Sequence, residues 1–138
     1  MSTSEIAFDV DGYPPAKSEA LSMLGQGHRH ARRVTRLLEA ARDEVARHGF
    51  TGFGSAPIGM DVVVRCRRGG DRSDATNFLG GIGDVLEGKA HRGQLPHLGD
   101  LHSVALYDND RQIEEVHYRW EDAVEPSYRV RFWQLGDG

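Results

Sequence analysis

The sequence predicts a single-domain α+β protein, with a mixed β-sheet of about five strands covered by two main helices. Residues 6–10 and 58–66 each carry apolar side chains with a period of two, which is the pattern of a half-buried strand. Between residues 31 and 48, apolar side chains recur at helical spacing. The chain has 138 residues and no linker-like stretch, so we expect one domain with its own core.

The N-terminal part contains the first strand and the first helix. Ile6, Phe8 and Val10 lie on one face of the strand, and Gly12 with the Pro-Pro pair after it ends the alternation. The helix is expected over residues 31–48, with Gly49 at the position of a C-terminal cap. Its apolar face consists of Val34, Leu37, Leu38, Ala41 and Val45.

The central part repeats the order of strand and helix. A glycine-rich loop over residues 50–57 leads into the second strand, whose inward side chains run from Ile58 to Cys66. Ser73 and Asp74 are both good N-cap residues for the second helix, which Gly88 ends. The apolar residues of that helix are Phe78, Leu79, Ile82, Val85 and Leu86.

Three further strands are predicted in the C-terminal part, over residues 101–107, 113–120 and 127–135. The last two are expected to form a hairpin across residues 121–126. In that hairpin, the apolar side chains of the two strands would face each other across the pair, namely Val116, Tyr118 and Trp120 against Tyr128, Val130 and Phe132.

Composition excludes several classes of protein. No apolar run reaches the roughly 18 residues that a membrane helix needs, and the first residues lack a secretory pattern, so we expect a cytoplasmic protein without membrane contact. The only cysteine, Cys66, has no intrachain partner and is expected to be a buried small apolar residue. No glycine-rich nucleotide-binding signature is present, which argues against a nucleotide-binding protein.

One basic run stands out in a chain of net charge −4. Four arginines and two histidines gather before and inside the first helix without an acid among them: Arg29, Arg32, Arg33 and Arg36, with His28 and His30. The overall charge argues against binding to nucleic acid through bulk charge alone. The clustering nevertheless predicts one basic surface on an otherwise acidic molecule.

A polar face on the second helix is the first candidate site. Asp74, Asn77, Gly81 and Asp84 recur every three or four residues, opposite the apolar face. An ordinary helix cap at Asp74 with solvated neighbours would also give this pattern. Three glycines inside the helix, each costing up to ~1 kcal/mol relative to alanine, indicate that a ligand or a neighbouring element approaches the backbone closely.

The second candidate site follows the predicted third strand, at residues 107–113. Asp108 and Asp110 would share a face if the chain stays extended there. Mg²⁺ takes oxygen ligands, often from only one or two carboxylates plus water and phosphate. Acids from the start of a helix and from the end of a strand are therefore candidates for a metal site, whereas the alternative is a simple polar turn.

Taken together and in order, these motifs resemble the RusA-type Holliday junction resolvases, which are Mg²⁺-dependent endonucleases of four-way DNA junctions. The resemblance covers most of the chain. It consists of the first strand with Pro14-Pro15, the basic stretch before the first helix, Arg72-Ser-Asp74-Ala-Thr-Asn77 with Asp84-Val-Leu86, and Asn109-Asp110-Arg-Gln-Ile113 before the terminal strands.

The resemblance implies a RusA-like fold, a Mg²⁺ cofactor, branched DNA as substrate in recombination or repair, and a homodimer. Asp74 and Asp110 match the family's metal-binding acids, and Asn77 matches the asparagine that closes the helix motif. Thr76 stands where the family has a second helix acid, and Gly80 where it has a lysine. Asp108 is our candidate for the missing carboxylate.

Three functions stay open on the sequence. The first is a metal-dependent endonuclease that uses Asp74, Asp110 and Asp108 as metal ligands and Asn77 to orient the site. The second is a nucleic-acid or protein binding module of the same fold without chemistry, which contacts its partner through Arg29, Arg32, Arg33 and Arg36. The third is a small-molecule or protein interaction domain with a groove over the glycine-rich helix.

Overall fold

The computed structural model describes residues 5–15, 31–68, 75–87 and 104–135. These residues form four strands and two helices, with one 3-10 turn. In chain order they are β1 (Glu5–Asp11), α1 (Ala31–His48), β2 (Ile58–Cys66), α2 (Ala75–Leu86), the 3-10 turn (Asp110–Gln112), β3 (Ile113–Asp122) and β4 (Ser127–Gln134). The α+β class and the mixed sheet predicted from the sequence are confirmed.

The sheet has the order β1-β4-β2-β3. Strands β2 and β3 are parallel, while β4 runs antiparallel to both of its neighbours, β1 and β2. In the part of the chain that the structure describes, the sheet therefore has four strands rather than about five. The prediction of a strand over residues 101–107 is wrong for its described part, because residues 104–107 form only a single bridge, between Tyr107 and Glu87.

The predicted hairpin between the last two strands is also wrong. Val130 of β4 pairs with Phe8 on one side and Val62 on the other, and Tyr118 of β3 pairs with Val62 from the far side. The connection after β3 thus crosses the end of β2, and β4 enters between β1 and β2. Alternation fixes only which face a side chain occupies, so it does not identify the neighbouring strand.

Strands β3 and β4 differ in burial, which explains why β4 lies inside the sheet and β3 at its edge. Strand β4 carries three fully buried side chains, Tyr128, Val130 and Phe132, as suits the interior of a sheet. Strand β3 has no buried residue among its ten, and charged side chains occupy both of its faces. Charged residues on both faces are tolerated at the edge of a sheet, where they also discourage pairing with another chain.

Helix α1 forms where the 3.6-residue period predicted it and packs on β1. Val34, Leu37, Leu38 and Ala41 are completely buried. Burying a side chain the size of leucine contributes about 1.5–3 kcal/mol, so this face anchors the helix to the sheet. Gly49 follows with a φ of 64°, the left-handed conformation of a C-terminal cap.

Helix α2 is more deeply embedded than the predicted polar face implies. Phe78, Ile82, Val85 and Leu86 belong to the core, as expected. Gly81, which we expected on the solvent side with Asp74 and Asn77, is buried as well. The prediction of one continuous polar face is therefore wrong at Gly81, because α2 is covered on more than one side.

The opposite face of the sheet is polar, and no described helix covers it. Ion pairs connect neighbouring strands there, among them Arg131 with Glu5 at 2.7 Å and Arg129 with Asp9 at 3.1 Å. The indole ring of Trp133 lies across β2 directly on the backbone of Gly59. Arg131 also lies over this ring, with its guanidinium carbon 4.4 Å from the ring centre.

Two predictions from composition concern individual features. Cys66 is a buried free cysteine, as expected, and accepts a hydrogen bond from the indole nitrogen of Trp120 at 3.3 Å. In the described part of the chain, no helix has both the length and the apolar character needed to cross a membrane.

Candidate functional site

The acidic segment around Asp108 is a tightly held turn. Gln112, only 8% exposed, places its side-chain amide at the centre of this turn. Its Oε1 accepts the backbone N–H groups of Asp108 at 2.8 Å and Asn109 at 2.7 Å. Its Nε2 donates to the carbonyl oxygens of Gly54 at 2.8 Å and Ala56 at 2.7 Å. One side chain therefore joins the acidic turn to the glycine-rich loop through four hydrogen bonds.

This geometry corrects the expectation of an extended chain at Asp108 and Asp110. The backbone N–H of Gln112 also donates to the carbonyl oxygen of Asn109 at 3.0 Å, which closes the 3-10 turn. The two aspartates thus lie in one turn rather than on one face of a strand. The physical reason is that the Gln112 amide attracts two consecutive N–H groups, which an extended chain would direct to opposite sides.

The glycine-rich loop is shaped for this contact. Gly54 has a φ of 59°, a conformation that side chains with a Cβ rarely adopt. Besides Gln112, its carbonyl oxygen accepts the backbone N–H of Asp108 at 3.2 Å. Phe53 donates to the carbonyl oxygen of Leu106 at 2.9 Å, so the loop and the segment before the acidic turn run side by side.

The same segment is fixed to the C-terminal half of α2. The backbone N–H of Leu106 donates to the carbonyl oxygen of Leu86 at 2.9 Å. Tyr107, 2% exposed, donates its hydroxyl to the carbonyl oxygen of Gly83. A Cβ added at Gly83 would lie 3.2 Å from that hydroxyl, so Tyr107 is the close neighbour that the glycines of this helix predicted.

The structure describes only some of the predicted metal-binding and catalytic residues. Asp74 lies outside the described residues, immediately before α2 in the sequence. Asn77 is in the first turn of α2 and Asp110 opens the 3-10 turn, but their side chains lie outside the described part. Asp108 is exposed at the edge of the acidic turn. Thr76 and Gly80, where the family pattern has an acid and a lysine, are both within α2.

Carboxylate oxygens on a fixed turn suit a hard cation such as Mg²⁺, which keeps several water ligands and needs few from the protein. Asp108 is one such group, on a backbone that Gln112 holds. Among the side chains that the structure describes, no group of three or more His, Cys, Asp or Glu residues is arranged around a common metal position. Asp108 alone therefore represents the predicted metal site in the described residues.

The predicted basic residues line the N-terminal half of α1. Arg29 lies outside the described residues, whereas Arg32 and Arg36 are exposed. Arg33 is half-buried, with its guanidinium carbon 5.4 Å from the centre of the Tyr13 ring. Arg36 reaches the end of β1, where its Nη1 would be 3.1 Å from a Cβ added at Gly12. The described arginines thus lie beside the turn that follows β1.

The roles of Gln112 and Tyr107 are not apparent from the sequence. Gln112 belongs to the motif at residues 109–113, and Tyr107 to the predicted strand over residues 101–107. Both act through residues that are distant in the chain, so no local period identifies them. The signal that was present is the glutamine itself, a polar residue between an acidic segment and an apolar strand.

No protein-family model matches the chain, and no curated protein matches it significantly.

Proposed function

We propose that this protein is a Mg²⁺-dependent endonuclease that acts on branched DNA, as its resemblance to the RusA-type resolvases implies. One observation supports this proposal above the others. The turn that carries Asp108 and Asp110 is bonded to the glycine-rich loop by Gln112 and contacts α2 through Tyr107. Rigid support of this kind is what a metal-binding carboxylate needs in order to act on a substrate.

In this proposal, Asp74 and Asp110 are the metal ligands, and Asp108 is a third carboxylate. Asn77, in the first turn of α2, orients the site through its side-chain amide. When bound, Mg²⁺ would neutralise charge on the scissile phosphate and lower the pKa of an attacking water. Asp108 replaces the acid that the family has at the position of Thr76, since it lies two residues from Asp110 and on the same fixed turn.

The substrate and assembly follow from the same resemblance. A four-way junction has two-fold symmetry, so a homodimer with a two-fold axis would place one acidic turn on each of two strands. Such an enzyme belongs to DNA recombination or repair, and the proposed location is the cytoplasm. The exposed arginines of α1, Arg32 and Arg36, would contact the phosphate backbone.

A second function is favoured by the arginine geometry rather than by the acids. The side chain of Arg33 lies over the ring of Tyr13, beside the exposed Arg32 and Arg36. A binding module that keeps this basic surface without cleavage needs neither an acid at Thr76 nor a lysine at Gly80. Its partner would be a nucleic acid or an acidic protein.

Cleavage of a labelled four-way junction in Mg²⁺ or Mn²⁺ tests the endonuclease. We expect cuts near the crossover, and Asp110→Asn or Asp74→Asn should reduce the rate by about a hundredfold or more while leaving junction affinity intact. Asp43→Asn, an exposed acid on α1, is the matched control and should cut like the parent. Binding without metal-dependent cleavage would support the binding module, and cleavage unaffected by both aspartate variants would disprove the proposed site.

A further inference from the structure

Apart from Arg33, the arginines of the described residues fall into two sets. Six are neutralised by ion pairs with carboxylates, namely Arg42, Arg47, Arg65, Arg119, Arg129 and Arg131. Five others form no ion pair with any described residue, namely Arg32, Arg36, Arg67, Arg68 and Arg111. All five are exposed. The charge of the second set is therefore available to a partner, whereas the charge of the first set is already matched within the fold.

Four of the five unpaired arginines lie at one end of the sheet, where β1 and β2 end and β4 begins. The fifth, Arg111, lies in the 3-10 turn before β3. The connection after β3 closes this end, since Ala123 donates to the carbonyl oxygen of Cys66 at 3.1 Å and Gly12 donates to that of Pro126 at 2.9 Å. Arg36 extends to Gly12. Arg67 and Arg68 directly follow Cys66. We call this surface the basic rim, defined by Arg32, Arg36, Arg67 and Arg68.

Arg68 is held in place without losing its charge. Its backbone N–H donates to Oδ1 of Asp122 at 3.3 Å, and its guanidinium carbon lies 4.6 Å from the centre of the Trp120 ring. Stacking on a ring immobilises the planar group while its N–H edge stays open. A planar edge of this kind matches the oxygens of a phosphate, to which arginine binds through two parallel hydrogen bonds.

The acidic side chains at this end of the sheet do not pair with the arginines of the basic rim. Asp11, Asp122 and Glu125 are exposed there, but none of them forms an ion pair with the four arginines. The polar face of the sheet shows the contrast, because Arg119 and Arg129 each have a carboxylate partner at 3.0–3.1 Å. Among the described residues, unmatched arginine charge thus gathers where β1 and β2 end.

The rim is wide enough for more than one phosphate. Strands β1 and β2 are separated by β4, so Gly12 and Cys66 lie about two strand spacings apart, roughly 10 Å. A nucleic-acid strand carries one charge per roughly 3.4 Å of helix axis. The helix arginines on one side and the Arg67-Arg68 pair on the other would therefore contact different phosphates of one backbone.

We infer that the basic rim binds the phosphate backbone of DNA, and that Arg67 and Arg68 form a second contact beside the arginines of α1. This inference rests on the proposed function for its choice of DNA as the polyanion. It adds the two residues that directly follow β2 to the contact surface.

Binding of a fluorescently labelled duplex and four-way junction at several salt concentrations tests the inference. Arg67→Gln/Arg68→Gln keeps the side-chain stems and removes two charges, and we expect the affinity to fall about tenfold or more at low salt. The slope of log affinity against log salt should flatten by up to about 1.8, since each lost phosphate contact contributes about 0.9. The pair Arg67→Lys/Arg68→Lys should keep most of the affinity and most of the slope.

The matched control is Arg119→Gln/Arg129→Gln, which removes the same charge from the ion-paired face and should change the affinity less than about twofold. Equal losses from both glutamine pairs, or no loss from Arg67→Gln/Arg68→Gln, would overturn the inference even if the parent protein cuts DNA. A parent protein that binds DNA at the rim but never cuts it would remove the endonuclease and leave the inference standing. Absence of any DNA binding at low salt would overturn both.

Discussion

Gln112 and Gly54 are joined by a 2.8 Å hydrogen bond from the side-chain amide of one to the carbonyl oxygen of the other, across 58 residues of chain. The same amide also binds Ala56, Asp108 and Asn109. Because a glutamine amide has two donors and a carbonyl with two lone pairs, all of its capacity is used here. The acidic turn and the glycine-rich loop therefore form one unit, whose position depends on a single side chain.

Gln112→Leu should destabilise the protein by about 3 kcal/mol. Each of the four lost hydrogen bonds contributes about 1 kcal/mol net, and water replaces part of the loss because the turn is only partly buried. Urea denaturation would measure the change. Arg111→Ala, an exposed neighbour on the same turn, is the control and should stay within about 0.5 kcal/mol of the parent. Equal stability of Gln112→Leu and the parent would show that the turn does not depend on the amide.

Gly59→Ala should destabilise the protein through Trp133. An added Cβ would lie 2.2 Å from Cζ2 and 2.3 Å from Cε2 of the indole, so the ring must leave its place under Arg131. Overpacking of this kind costs about 1–3 kcal/mol. In a Trp133→Ala background the clash is absent, and the same change should be neutral or stabilising by up to about 1 kcal/mol, because alanine restricts the unfolded chain.

A double-mutant cycle by urea denaturation separates the two effects for Gly59 and Trp133. We expect a coupling energy of about 1 kcal/mol or more between the two positions, since they are in direct contact. If Gly59→Ala costs the same with and without the indole, the strand itself requires glycine and the contact with Trp133 is incidental.

Tyr128→Phe should stabilise the protein. The Tyr128 hydroxyl is buried and has no hydrogen-bond partner among the described residues. A buried polar group without a partner costs about 1–3 kcal/mol, so its removal is expected to raise the free energy of unfolding by about 1 kcal/mol. Thermal and urea denaturation near neutral pH would measure this gain.

The stability difference between Tyr128→Phe and the parent should also widen at high pH. Burial raises the pKa of Tyr128 well above its usual value, against a smaller opposing effect of the positive charge of Arg33. Above about pH 10 the unfolded phenol loses its proton while the native one keeps it, so the stability of the parent falls by up to about 1.4 kcal/mol per pH unit. Below that pH the difference should be constant. Parallel curves above pH 10 would contradict this assignment.

The elements of this fold were predictable because their signals are local. Helix α1 covers the residues that the helical spacing from Val34 to Val45 indicated, and β2 covers those with a period of two. The neighbours of β3 and β4 were not predictable in the same way. An alternating strand looks alike beside any partner, and here the decisive difference is the burial of Tyr128 and Val130 against the exposure of β3.

The candidate site was predictable only in part, for a related reason. Asp108 and Asp110 are visible in the sequence as two nearby acids, and they indicate the position of the candidate site. The shape of the turn is determined by Gln112, whose acceptors lie 56 and 58 positions away. Long-range hydrogen bonds leave no periodic signature, so the sequence suggested an extended chain where the structure has a 3-10 turn.

Asp108→Ala tests the proposed third carboxylate. Its backbone N–H stays bonded to Gln112, so the variant should keep the turn and lose only one oxygen ligand. Calorimetric titration with Mn²⁺ should show an affinity at least about tenfold below the parent, as large as the loss of a supporting partner at a metal site. Asp110→Ala, which removes a proposed principal ligand, should have the larger effect.

Asp43→Ala removes the same charge from an exposed position on α1 and separates ligation from general electrostatics. If Asp108→Ala and Asp43→Ala weaken Mn²⁺ binding equally, Asp108 acts only through its charge. No carboxylate then replaces the acid that the family has at the position of Thr76. A specific loss at Asp108 would instead mean that the turn held by Gln112 supplies two carboxylates to one metal. In that case Gln112→Leu, which removes these hydrogen bonds, should lower both the free energy of unfolding and the affinity for Mn²⁺.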